Sequence, residues 1–240
     1  MRPQKFYSFL QGGREADIHI FGDIVRDQSV QSDVSADSLC QQIKTLDADV
    51  INVYIDSYGG VLSEGWAIYN QLRQHPAFVR TYGIGFVASA ALYPFLAGDE
   101  RYAVEPSAYF LHQVVVSADG YGDDLRTAAD MADQMTEIGL APFAQAGVSL
   151  DAVREMMRAE TWLSPQGALE CGIATGVLTN RQSARMTQSA KSLVIQRVLR
   201  PDPPPERETS EDQDPPETSE PITQTAGIMG MLGGVFDIRK

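Results

Sequence analysis

Residues 50–60 constrain this chain more than any other stretch. Val50, Ile51, Asn52, Val53, Tyr54 and Ile55 alternate and are rich in β-branched side chains, the mark of a strand. The run breaks at Asp56-Ser57-Tyr58-Gly59-Gly60. Leu62, Trp66, Tyr69 and Leu72 then recur at helical spacing. A strand that halts at a Gly-Gly turn and opens a helix is the repeating unit of an α/β layer.

The same order recurs along the chain. Residues 18–25, with Ile18, Ile20 and Ile24 at even spacing, predict a strand, and residues 36–46 predict a helix introduced by Ser35. Residues 79–86 predict another strand, followed by the small-residue run Val87-Ala88-Ser89-Ala90-Ala91 and an apolar segment at 92–97. Two short strands are expected at 101–104 and 108–112, on either side of Glu105-Pro106-Ser107. Leu125, Ala128, Ala132, Met135 and Ile138 mark an amphipathic helix, and Leu150, Val153 and Met157 begin one more. Strands and helices alternating at this spacing predict an α/β domain with largely parallel pairing over residues 17–180, after an N-terminal segment at 1–16.

Beyond residue 180 the composition changes. Residues 181–200 read as a basic, partly amphipathic helix. Residues 201–240 read as a disordered acidic tail, rich in Pro, Glu, Asp, Ser and Thr and ending in a glycine-rich apolar stretch.

The net charge of −13 sets up a field that repels phosphate backbones and anionic lipid, which argues against a nucleic-acid partner. No run approaches about 18 uninterrupted apolar residues, and the first residues lack the apolar core of a signal peptide, so a soluble cytoplasmic protein is expected. Cys40 and Cys171 stand alone, with no Cys or His at metal-ligand spacing. They read as reduced structural thiols, and neither a metal nor a cofactor is expected.

Serine-based acyl transfer needs a nucleophile, a base, a group that orients the base, and donors for the oxyanion. Ser89 lies where a strand runs into a helix, between small neighbours, a placement that suits a nucleophile and equally suits an N-cap. His112 closes a short apolar strand, as a base or as a satisfied structural residue; His19 and His75 have no comparable context. Gly59-Gly60 offers backbone amides free of side-chain obstruction, and is equally a simple turn. Spacing alone does not pair Ser89 with His112.

Taken in order, these segments resemble the Clp protease proteolytic subunit, nearly continuously over residues 18–178. Asp56-Ser-Tyr-Gly-Gly60 is similar to that family's Asn-Ser-Pro-Gly-Gly turn. Gly85-Phe-Val-Ala-Ser-Ala-Ala91 is similar to its Gly-x-Ala-Ala-Ser-Met-Gly nucleophile motif, and Phe110-Leu-His-Gln113 to its Met-Ile-His-Gln segment. The block from Glu160 to Ile173 is similar to its Asp-x-Phe-Leu-Ser-Ala-x-Glu-Ala-x-x-Tyr-Gly-Leu block. The resemblance implies a ClpP- and crotonase-like α/β fold of repeated β-β-α units. It makes Ser89 the nucleophile, His112 the base, Glu160 the orienting acid, and the amides of Gly60 and Ala90 the oxyanion donors.

It also implies a protein or peptide substrate and a homo-oligomeric ring. An AAA+ unfoldase is a further implied partner, since no phosphate-binding Gly-x-x-x-x-Gly-Lys-Ser/Thr loop occurs in the chain. Three departures stand out: Tyr58 for the turn proline, Glu160 for Asp, and Val114-Val-Val-Ser-Ala-Asp-Gly120 for the glycine-rich strand that follows the histidine. Asp56 and Asp99 are the alternative acids. The departures and the acidic tail resemble the head-maturation proteases of tailed phages and prophages, with prohead proteins as partners. Competing readings are a crotonase-like acyl-coenzyme A enzyme and a catalytically degenerate ring-forming subunit.

Overall fold

A computed structural model describes residues 9–12, 14–26 and 34–179. The expectations for residues 181–200 and 201–240 lie outside the described residues.

Among the described residues the strands are β1 (Phe9–Gly12), β2 (Glu15–Phe21), β3 (Ile24–Val25), β4 (Val34–Ser35), β5 (Val50–Ser57), β6 (Phe78–Ala88), β7 (Glu100–Val104), β8 (Ala108–Leu111), β9 (Thr161–Leu163) and β10 (Gly176–Leu178). The helices are α1 (Ala36–Lys44), α2 (Leu62–Gln74), α3 (Leu92–Leu96), α4 (Gly122–Ile138), α5 (Ala141–Gln145), α6 (Leu150–Arg158) and α7 (Pro165–Glu170), with a 3-10 turn at Ser89–Ala91. The main sheet runs β1-β2-β5-β6-β7-β10, with β1 antiparallel at one edge and the rest parallel. The expected parallel α/β architecture is therefore present.

Helix α1 starts where its sequence says it should. The Ser35 side chain accepts from the Ser38 amide, and Leu39 and Ile43, four residues apart, are buried together. Helix α2 buries Ile68, Tyr69 and Leu72 on the same layer, against Ile18, Ile20, Ile51, Val53, Ile55 and Val79 of the sheet. Each such side chain contributes about 1.5–3 kcal/mol of burial. All five residues of α3 are buried, so the helix that follows Ser89 runs through the interior.

Strand β6 is the hinge of the architecture. Its first half pairs with β7 (Arg80↔Glu100 to Gly83↔Ala103), and its second half pairs with β8 (Phe86↔Ala108 to Ala88↔Phe110). Strand β8 pairs in turn with β9, antiparallel. The sheet thus branches at the end of β6, which carries β8 and β9 while Val87 still pairs with Ser57 of β5.

The branch coincides with a bulge between β5 and β6, where the register jumps from Ile55↔Gly83 to Ser57↔Val87. Asp56 fills the bulge and accepts from the Phe86 amide at 2.9 Å. A Cβ at Gly85 would lie 2.3 Å from Asp56 Oδ1, so a side chain there would push the carboxylate off the Phe86 amide.

Buried Arg101 ties the layers together without a carboxylate. Its guanidinium donates to the carbonyls of Ile173, Gly98, Ala146 and Gly172, at 2.8–3.3 Å. A buried cation needs such a full set of acceptors.

Candidate active site

Ser89 sits at the sharp exit of β6, with φ at 54°, a left-handed conformation that a residue with a Cβ adopts only under local constraint. Two glycines supply the constraint. A Cβ on Gly59 would lie 2.6 Å from Ala88 O, 2.8 Å from Ala90 N and 2.8 Å from Ser89 Cβ. One on Gly65 would lie 2.7 Å from Ala90 O. The β5–α2 turn and the first turns of α2 therefore close directly on the Ser89 turn, at a distance that side chains forbid.

The turn itself is held from two sides. Ser57 Oγ donates to Gly22 O at 2.6 Å and accepts from Gly59 N at 3.0 Å. Ile24 N donates to Gly59 O, and Val61 N to Ile24 O. That ladder uses the amides on either side of Gly60 and leaves its own N–H, like that of Ala90, without a hydrogen-bond partner among the described residues. Gly60 has φ at 139° and backs onto Ile24 O, which a Cβ would approach to 2.2 Å.

His112 follows β8 by one residue. Its Nε2 lies 2.7 Å from Ser89 Oγ, and its Nδ1 lies 2.6 Å from the carbonyl oxygen of Gln113. A carbonyl only accepts, so Nδ1 carries the proton and donates. Nε2 is then the bare nitrogen and accepts from the Ser89 hydroxyl. This tautomer is the one that a general base at Ser89 requires. Phe110, two residues back on the same face, stacks on the imidazole at 5.3 Å.

Glu160 lies between α6 and β9, exposed and with φ at 50°. Its carboxylate makes no hydrogen bond among the described residues, and the Nδ1 position expected for it is taken by Gln113 O. The β8–β9 pairing ends at Leu111↔Thr161, so His112 and Glu160 are the residues that flank its last pair. The alternative acids are engaged elsewhere: Asp56 in the β-bulge, and Asp99 with Arg73 and the Val79 amide.

The other histidines are also occupied elsewhere. His75 ends α2, accepting from Ala77 N and meeting Leu46 O, while His19 stacks on Tyr54. Burial pushes the Cys40 thiol up to about 11 and raises that of Cys171, which keeps both protonated and unreactive at neutral pH.

Residues 15–181, well over half of the chain, match the family described as Clp protease. The chain belongs to the Clp protease family. The ATP-dependent Clp protease proteolytic subunit 2 of Treponema pallidum (strain Nichols) is 31% identical over 134 residues, 55% of this chain and 67% of that protein. The ATP-dependent Clp protease proteolytic subunit 1 of Corynebacterium jeikeium (strain K411) is 29% identical over 162 residues, 63% of this chain and 85% of that protein. The solved structure of a ClpP1 mutant from Listeria monocytogenes shares the fold. Its TM-score is 0.57 at 24% identity, over 69% of this chain and 92% of that one.

Membership of the Clp protease family makes this a chain of serine-type peptidase ancestry, and the turn, Ser89, His112 and Glu160 all fall inside the matched residues. Where the family's substrate strand was expected in altered form, residues 114–120 form no strand. Val114 N instead donates to Thr136 Oγ1 of α4. Among the described residues no helix is long and apolar enough to cross a membrane.

Sequence reasoning did not single out Gly65 or the Gln113 carbonyl. Gly65 was detectable, because glycine inside a helix costs about 1 kcal/mol against alanine and signals close packing. A backbone carbonyl has no sequence signature.

Proposed function

We propose that this chain is a serine endopeptidase acting through an acyl-enzyme, with Ser89 as nucleophile and His112 as general base. The observation that carries the reading is the 2.7 Å contact between His112 Nε2 and Ser89 Oγ, with Nδ1 held by a carbonyl.

Ser89 Oγ attacks the scissile carbonyl while His112 Nε2 takes its proton. The developing oxyanion meets the unpartnered amides of Gly60 and Ala90, donors that need no reorganisation because the turn is already fixed. His112 then returns the proton to the leaving amine, and water, deprotonated by the same nitrogen, releases the acyl group. Gln113 O holds the imidazole in its tautomer. Glu160, the residue before the paired Thr161, is the carboxylate that stabilises the imidazolium once substrate is bound. The crotonase-like and degenerate readings do not account for a serine and histidine in contact beside free amides.

The finer assignment is to the head-maturation proteases of phages and prophages, acting in the cytoplasm as a homo-oligomeric ring on capsid or scaffold protein. Tyr58 in the turn, the altered segment at 114–120 and the acidic composition of 201–240 support that subgroup. An AAA+ unfoldase is the alternative partner.

The test is cleavage of an unfolded reporter protein by the purified chain and by Ser89→Ala. Activity in the first and none in the second is expected. Equal activity in both would remove Ser89 from the mechanism.

A further inference from the structure

Glu64 is a carboxylate taken almost wholly out of water. It lies in the first turn of α2, beside Gly65, and is only 7% exposed. Its Oε1 accepts from Ser63 Oγ at 3.2 Å and from Arg26 Nε at 3.3 Å. Beside it is a cavity of about 350 Å³ that Asp37 and Cys40 of α1 also line, and neither bonds to it. Among the described residues, Arg26 is the cation that meets this carboxylate. A buried charge is costly unless it is paired, so the guanidinium is tied to Glu64 more firmly than a surface ion pair would be.

The place of the pair gives it a use. Arg26 follows β3, and its own carbonyl accepts from Oγ of Ser35, the cap of α1. Two residues earlier, Ile24 brackets the Gly59-Gly60 turn: its N–H donates to Gly59 O at 2.7 Å, and its carbonyl accepts from Val61 N at 2.8 Å. Val61 lies three residues before Glu64. The chain from Ile24 to Arg26, the ion pair, the chain back from Glu64 to Val61, and the Val61–Ile24 hydrogen bond therefore close a ring around Gly60. Strand β3 needs such a tie, because it pairs with β4 through two residues only. Gly65, next to Glu64, packs in turn against Ala90 O.

We propose that Arg26 and Glu64 are positioning residues for the Gly60 amide: the ion pair clamps β3 to the start of α2 and so holds Ile24 behind the turn. The inference rests on the proposed function, in which that amide meets the oxyanion. The clamp touches no substrate; it fixes a donor in advance of the reaction.

The test measures the second-order rate at which a small fluorophosphonate, carrying no peptide, labels Ser89. Its phosphoryl oxygen takes the oxyanion position, so the rate reads the amide without a bound peptide. Wild type, Arg26→Ala, Arg26→Lys, Glu64→Ala and the double alanine variant are compared. Each single alanine variant is expected to label about fivefold to tenfold more slowly, and the double variant to lose no more than the worse single one. Arg26→Lys restores most of the rate. On a short fluorogenic peptide the same loss falls on kcat, with KM unchanged. The Arg26 side chain is 71% exposed, so its removal leaves the core intact even where Glu64→Ala fails to fold. About 1 M NaCl is expected to slow wild type and to leave Arg26→Ala unchanged. Wild-type labelling by Arg26→Ala, losses that add in the double variant, or a loss confined to KM would overturn the clamp alone. No labelling of wild-type Ser89 sinks the proposed function and this inference with it.

Discussion

Gly59 lies so close to Ser89 that a Cβ added to the glycine would sit 2.8 Å from the serine's own Cβ. The Gly59-Gly60 turn and the Ser89 turn are thus one packed unit, and a change in either moves both. Gly59→Ala meets backbone at 2.6 Å and also a φ of 101°. It is expected to lower kcat/KM by about 100-fold or more, because a shift of about 1 Å in a catalytic group costs that much. A melting curve alongside the kinetics separates lost geometry from lost fold. Near wild-type kcat/KM would show that the turn does not position the donors.

The imidazole of His112 is held at Nδ1 by Gln113 O, so its tautomer does not depend on a carboxylate. Glu160→Gln is therefore expected to reduce kcat/KM by only about tenfold, against about 10⁴-fold for His112→Ala. Equal losses in the two variants would make Glu160 the dominant orienting group.

His19 offers a stability test away from the site. Burial lowers it from 6.5 to about 4, and its Nε2 has no hydrogen-bond partner among the described residues. Between those pH values the unfolded chain binds a proton that the folded one refuses. The stability contributed is complete above about pH 6.5 and is lost as pH falls towards 4, to an extent of no more than about 3 kcal/mol. Asp17, on the same face of β2, is raised by burial and acts in the opposite sense, so the comparison must be with a variant. His19→Phe keeps a stacked ring and removes the slope; urea midpoints at pH 7 and 4.5 measure it. Identical pH slopes in wild type and variant would clear His19 of the effect.

Much of this fold is legible in the sequence because its elements are long enough to show a period. Strand β5 begins at Val50 as read and runs one residue past Asp56, and α2 follows the spacing of Leu62 to Leu72. Strands β9 and β10 went unread, since three residues are too few to show alternation, and β1 fell in the segment set aside before residue 17. The site divides in the same way. Ser89 and His112 were named through the order of motifs, yet their contact spans 23 residues and has no local signature. The role of Gly60 was named, while Gly59, which makes the close approach to Ser89, was read only as half of a turn.

The most direct test of the account is mass-spectrometric mapping of a fluorophosphonate adduct on the intact chain. The account predicts a single adduct on Ser89, absent in Ser89→Ala and strongly reduced in His112→Ala, because only the pair in contact generates the nucleophile. An adduct on another residue, or undiminished labelling of Ser89 without His112, would contradict it.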